Sequence, residues 1–215
     1  MPYTTVDLET WPRREHYELF KSLDHPFFGV TAEVDLTDWL AGIRAAGLPF
    51  YPSLVHRVTA AANAVEALRT RMRGDTVVIH DRISVSFTVP WREELFNFCT
   101  VEFDPDLETF LARCEPAVQR ARTAPHLLLD EAHRDDMIYV SSAPWFAFTG
   151  LSQVGDAKSG DSFPRVAWGK LVEKDGRSTV TMNIQLHHAV ADGLHVARFL
   201  EHLQAGLAEP LPPRV

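Results

Sequence analysis

Two adjacent histidines, His187 and His188, stand just ahead of an Asp-Gly pair, Asp192-Gly193, towards the end of the chain. The residues leading into them alternate. Val180, Met182, Ile184, Leu186 and His188 share one parity; Thr181, Asn183, Gln185 and His187 share the other. Side chains alternate across a β-strand, so His188 continues an apolar face while His187 points with the polar residues. An imidazole at the end of a buried face is partly desolvated, which disfavours its charged form and suits it as a neutral base near pH 7. The same residues admit plainer readings. Asp192 can cap the helix that follows, Gly193 can make a tight turn that a Cβ would hinder, and His188 can simply pack. A metal site on His187, His188 and His195 is disfavoured, because neighbours on a strand face opposite ways and no cysteine or carboxylate cluster accompanies them. A Ser-His-Asp hydrolase lacks its Gly-x-Ser-x-Gly turn.

Positioning such a base requires a strand that ends at the histidines and a helix that begins at Asp192. That last helix carries Val196, Phe199, Leu200, Leu203 and Leu207 in register. Helical signals also cover Trp11–Leu23, with Pro12 suited to a first turn; Leu36–Ala46, with Thr37 as the expected cap; Pro52–Leu68; and Asp106–Ala121. Strand signals cover Phe28–Val34, Thr76–His80, Ile83–Pro90, Leu95–Phe103, Met137–Ser141, Trp145–Thr149, Arg165–Glu173 and Ser178–His188. Asp175-Gly176 between the last two marks a hairpin. Strands and helices mix without strict alternation, which favours an α+β domain over a doubly wound parallel sheet. No linker divides the chain. Residues 1–209 read as one domain, and 210–215 as a proline-rich tail that cannot continue the helix.

The 215 residues suffice for a core without disulfides or metals. Hydrophobic residues make up 46% and charged residues 23%, which excludes wholesale disorder. A formal charge of −8 argues against nucleic acid as a partner. No run approaches a membrane span, and the N-terminus lacks the basic and apolar segments of a signal peptide. Two cysteines, Cys99 and Cys114, make no disulfide framework and read as structural thiols of a reducing compartment, so a cytoplasmic protein is expected.

The run Gln185-Leu186-His187-His188-Ala189-Val190-Ala191-Asp192-Gly193-Leu194-His195-Val196 resembles the signature of the chloramphenicol acetyltransferase family. Tyr3-Thr4-Thr5-Val6-Asp7, Trp11-Pro12-Arg13-Arg14-Glu15-His16, Phe50-Tyr51-Pro52 and Val140-Ser141-Ser142-Ala143-Pro144-Trp145 match further stretches, so the resemblance covers nearly the whole chain. It implies a two-layer α+β sandwich, a large mixed sheet with helices on one side, assembled as a homotrimer with sites between subunits. It implies acetyl transfer from acetyl-CoA, a co-substrate rather than a resident cofactor, to a hydroxyl of chloramphenicol. His188 would be the general base and Ser141 the donor to the oxyanion. Asp192 would be structural, paired with Arg13 or, failing that, Arg14. Leu19, Phe20, Phe96, Phe98, Arg165 and Ala167 fall at or near acceptor-pocket positions, and Lys170 on a coenzyme position. Three residues depart from the family pattern, one of them Leu171, where an aromatic often follows the lysine. Ala167 stands where a threonine is usual, and Arg165 where the pocket is usually apolar. Arg165 needs a carboxylate, an outlet to solvent or an acidic acceptor. Another small hydroxylated acceptor, or binding of a drug without turnover, therefore stand as alternatives.

Overall fold

The computed structural model describes residues 2–129, 134–156 and 160–211. The first half runs β1 (Tyr3–Thr5), α1 (Arg14–Lys21), β2 (Phe27–Asp35), α2 (Thr37–Ala46), α3 (Phe50–Ala64), α4 (Glu66–Arg69), β3 (Thr70–Arg73), β4 (Thr76–His80), β5 (Ser84–Trp91) and β6 (Leu95–Val101). There follow α5 (Leu107–Thr123), β7 (Met137–Ala143), β8 (Arg165–Gly169), β9 (Val172–Lys174), β10 (Arg177–His187) and α6 (Gly193–Ala208). The large sheet has the order β2-β10-β8-β7-β5-β6, with β9 added on β10. It is mixed: β7 runs parallel to β5 and β8, and the other pairs are antiparallel.

Register sorts this sheet into two unlike faces. Ile184, Val166, Val140, Phe87 and Cys99 lie side by side across five strands. All are buried in one core with Leu40 and Ile43 of α2, Leu54 and Val58 of α3, Phe110 and Cys114 of α5, and Phe199 and Leu203 of α6. One pleat away, Gln185, Arg165, Tyr139, Ser86 and Thr100 form a row on the opposite face. One face is thus apolar and helix-covered, and the other is lined with hydroxyls and amides. That is the expected two-layer α+β arrangement. Both cysteines belong to the covered layer, where burial pushes each thiol up to about 12.

A second, three-stranded sheet has the order β1-β4-β3; its central strand is the one expected at Thr76–His80, and its two outer strands were not expected. Its Val77 packs with Tyr17 of α1 and with Ala189 and Val190 beyond β10. This small sheet therefore holds α1 and the turn after the histidines in one cluster.

The Asp175-Gly176 hairpin forms, with φ of 51° and 76°, the positive pair that a two-residue turn requires. Several boundaries differ from expectation. Trp145–Thr149 is not a strand: Trp145 and Phe146 are exposed and the segment is irregular. Arg165–Glu173 is broken at Lys170 into β8 and β9. The first helix starts at Arg14, and the third starts at Phe50 and stops at Ala64, where Val65 turns extended. Thr37 does not cap α2; the Asp35 carboxylate accepts from its N–H at 2.9 Å and its hydroxyl at 2.5 Å. Gly193 is not required by its turn, since a Cβ there would meet nothing within 4 Å. Of the expected tail, Leu211 packs on the core, and residues 212–215 lie outside the described residues. No described helix is long and apolar enough to cross a membrane.

Candidate active site

β10 delivers the two histidines to different environments. His187 is the last strand residue and is 1% exposed. Its Nδ1 accepts the Ala189 N–H at 3.2 Å, and its ring meets Phe27 edge-on at 5.2 Å. Burial pushes its pKa down to about 4. His188 is the first residue of the turn and is half-buried. Its ring stacks on Phe20 of α1 at 4.0 Å and 7°, and tilts against Phe28 of β2 at 4.6 Å. Phe28 pairs with Leu186, so His188 does extend the apolar side of the strand. The more deeply buried of the two rings, however, is His187. The His188 Nδ1 lies 3.1 Å from the Ala191 carbonyl. A carbonyl only accepts, so Nδ1 carries the proton in this bond, and in the neutral ring the lone pair is on Nε2.

Arg13 holds the turn that shapes this geometry. Its Nε donates to the Ala189 carbonyl at 3.0 Å and its Nη2 to the carbonyls of His188 and Ala191 at 2.9 and 2.8 Å. Its Nη1 meets Asp192 at 2.7 Å. Arg14 is exposed and does not take this place. Asp192 also caps α6, accepting the Leu194 N–H at 3.1 Å. Partial burial works against ionisation of Asp192, but the Arg13 and His195 side chains outweigh it and hold the carboxyl below the usual carboxylate range. The capping reading and the ion-pair reading of Asp192 therefore coexist.

Ser141 belongs to a different place. It sits on β7, on the open face, its Oγ 3.0 Å from Thr88 Oγ1. Both line a cleft of about 410 Å³ whose walls include Phe96, Phe98, Leu128, Leu129 and Val154. Phe96 and Phe98 meet edge-on at 5.5 Å. Tyr139 and Arg165 also line this cleft, and Asp161 grips Arg165 through both oxygens at 3.1 and 2.5 Å. Of the three fates open to Arg165, the structure takes the first: a carboxylate answers it. Ala167 is buried beside Ser141 in the sheet and is not part of the cleft wall. Leu19 is exposed on α1 next to Phe20, and Lys170 is exposed beyond β8, its backbone N–H donating to the Phe146 carbonyl at 2.9 Å.

Two groups of residues result, and one chain does not bring them together. Ser141 pairs with Ala167, which pairs with Asn183 on β10. His188 lies five residues further along β10, so strand rise and spacing separate it from Ser141 by about 15–20 Å. The His188 ring is also on the helix side, whereas Ser141 faces the open cleft. One carbonyl carbon cannot be reached by both from a single chain. Among the described residues no three His, Cys, Asp or Glu side chains gather as a metal would need.

Thr88, Tyr139, Gln153 and Asp161 escaped the sequence reading. For Thr88 a signal existed, since it shares strand parity with Ser84 and Ser86 on a hydroxyl-bearing face. For Asp161 none did, because it reaches Arg165 from an irregular loop.

The family model of chloramphenicol acetyltransferase matches residues 1–204. Chloramphenicol acetyltransferase 3 of Escherichia coli is 28% identical over 206 residues, covering 95% of this chain and 96% of that protein. A chloramphenicol acetyltransferase of Streptomyces acrimycini is 32% identical over 211 residues, covering 95% and 94%. A solved chloramphenicol acetyltransferase superposes with a TM-score of 0.88 at 24% identity, over 96% of this chain and 100% of its own. A probable dihydrolipoamide acetyltransferase from Listeria monocytogenes shares the fold alone, with a TM-score of 0.68 at 16% identity. A match from the first residue through the histidine turn and into the last helix places this chain in the chloramphenicol acetyltransferase family.

Proposed function

We propose that the protein transfers the acetyl group of acetyl-CoA to a hydroxyl of a small acceptor, with chloramphenicol the first candidate, at sites built between copies of the chain. The observation that carries this reading is the His188 ring: Nδ1 is committed to the Ala191 carbonyl, so Nε2 is free to take a proton. In the reaction, Nε2 accepts the proton of the acceptor hydroxyl as its oxygen attacks the thioester carbonyl. The electron pair moves onto the carbonyl oxygen, where the Ser141 hydroxyl donates to it. Collapse expels the CoA thiolate, which recovers the proton from the imidazolium. No acyl-enzyme forms. General-base assistance of this kind is worth about 10²–10⁴-fold. A hydrogen bond that strengthens only as the oxyanion forms acts on the rate rather than on binding.

The separation of His188 from Ser141 supports assembly: His188, Phe20 and Leu19 of one copy would face Ser141, Phe96 and Phe98 of the next. A homotrimer closes such head-to-tail contacts. In this reading residues 1–209 are a single acetyltransferase domain ending in a short tail. Lys170 contacts the coenzyme, Arg13 and Asp192 fix the turn, and the cytoplasm is the working compartment, in keeping with two unpaired buried thiols. Arg165 and Ala167 favour a second reading, the same chemistry on another hydroxylated acceptor. Thiol release from acetyl-CoA, measured with chloramphenicol and a panel of alcohols, tests both. Release with chloramphenicol supports the first reading, and release only with another alcohol supports the second. No release above hydrolysis leaves drug binding without turnover, and contradicts the proposal. An active monomer by light scattering would contradict the shared site.

A further inference from the structure

One residue of the open-face cleft, Arg165, belongs to a buried ion pair to which the chemistry above gives no task. Arg165 and Asp161 have side chains only 12% and 9% exposed. Arg165 Nη1 donates to Asp161 Oδ1 and to the Phe163 carbonyl, both at 3.1 Å, and Nη2 donates to Asp161 Oδ2 at 2.5 Å. Asp161 is itself fixed by the backbone N–H groups of Phe163 and Asp156, each at 3.1 Å. The guanidinium lies over the rings of Tyr139 and Phe27, at 5.5 and 5.9 Å. It is therefore held in place rather than free to swing to solvent.

A guanidinium has five N–H donors. Three are used here, which leaves Nε–H and one Nη2–H without a partner among the described residues. Arg165 nevertheless lines the cleft. Because Asp161 answers its charge, what it offers the cleft is a rigid neutral donor and not a bare cation. We propose that the Asp161–Arg165 pair is a specificity determinant. It selects acceptors whose far end carries a neutral hydrogen-bond-accepting group, such as a carbonyl, ether or hydroxyl, over acceptors ending in an alkyl group or a carboxylate.

The sheet register sets the reach. Tyr139 is level with Arg165, and Ser141 is two residues further along β7. One strand spacing across and two residues along give about 8 Å between Arg165 and Ser141 at the backbone. Arg165 therefore addresses a part of the acceptor remote from the Ser141 hydroxyl. Thr100, Ser86 and Tyr139 continue the same polar row, while Phe96, Phe98, Leu128 and Leu129 wall the space between with apolar surface. A carboxylate at the far end would find the Arg165 charge already answered by Asp161, which lies behind the guanidinium and does not line the cleft. An alkyl group there would leave the remaining Arg165 N–H groups without the acceptor that a carbonyl, ether or hydroxyl supplies, and a site that hydrogen-bonds one group discriminates against an analogue lacking it. Arg120, at the rim on α5, is exposed, and its solvated charge attracts an anion weakly.

This inference rests on the proposed acetyl transfer, and its test separates the two. Three alcohols on one scaffold, ending in a methoxy, an ethyl or a carboxylate group, are compared as acceptors and, by calorimetry, as ligands of the wild-type protein. The methoxy compound should exceed the ethyl compound about tenfold in kcat/KM and in affinity, with the carboxylate weakest. An ethyl compound that matches it, or a carboxylate that leads, overturns the proposal. Affinity in that order without any thiol release would contradict acetyl transfer and leave this inference standing. Asp161→Asn uncovers the cation, so the carboxylate compound should gain about tenfold relative to the methoxy compound. Equal loss for all three would show that Asp161 merely supports the loop. The wild-type comparison decides the matter if that variant does not fold.

Discussion

His187 should make the stability of this protein fall on mild acidification, by an amount its burial sets. The imidazole is 1% exposed, and burial pushes its pKa down from 6.5 to about 4. Its neutral Nδ1 accepts the Ala189 N–H at the start of the turn. Protonation would remove that acceptor and strand a charge in the sheet. The folded pKa lies below the unfolded one, so between the two values the unfolded chain binds more protons. Stability is then complete above pH 6.5 and lost as pH falls towards 4. Linkage over that window gives a loss of about 2 kcal/mol from pH 7 to pH 5 for this one group. His187→Asn offers an acceptor oxygen near the Nδ1 position and does not titrate. Urea unfolding of wild type and variant, at pH 7 and pH 5 and one protein concentration, isolates the term. His56, also lowered by burial, contributes equally to both proteins. The wild type should lose about 2 kcal/mol more than the variant between the two pH values. Equal losses would refute the assignment of a buried neutral imidazole at His187.

Other perturbations test the remaining parts. Arg13→Ala and Asp192→Asn should each cost about 2–4 kcal/mol and reduce activity, because each leaves part of a turn-holding network unpaired. The double variant should cost less than the sum, and strict additivity in a denaturation cycle would exclude direct coupling. Ser141→Ala should lower kcat about 10²–10³-fold with little change in KM, and Thr88→Val should do the same more weakly. A rise in KM at constant kcat would reassign both to substrate binding. Ala167→Thr should raise kcat with chloramphenicol by about tenfold or less, by returning a hydroxyl beside Ser141. No change in steady-state kinetics would show that this position does not limit the rate.

Periodicity made the last strand readable. Leu186 and His188 follow the apolar side, and the Asp-Gly hairpin before them carries its own turn chemistry. Of the small sheet only the central strand, Thr76–His80, was readable, because Tyr3–Thr5 and Thr70–Arg73 are too short for a pattern. Trp145-Phe146 resembled a strand because aromatic residues favour sheets, yet their exposure shows that local preference did not decide the outcome. Arg13 reached the candidate site only through family resemblance. An arginine that binds backbone carbonyls 175 to 178 residues away leaves no local signature. Asp161 is hidden for a related reason: its partner is four residues off, but no helix brings them together. The strand register separates Ser141 from His188, a separation that the residue pattern alone does not reveal.

Complementation between inactive variants tests that shared site most directly. His188→Ala and Ser141→Ala chains, each inactive or nearly so alone, are unfolded together in equal amounts and refolded as mixed assemblies. If each site takes His188 from one copy and Ser141 from its neighbour, random assembly should restore about a quarter of wild-type kcat per site. If both residues had to come from one chain, no subunit in the mixture would hold an intact pair. Activity no higher than the two parent variants would then contradict a site built between copies.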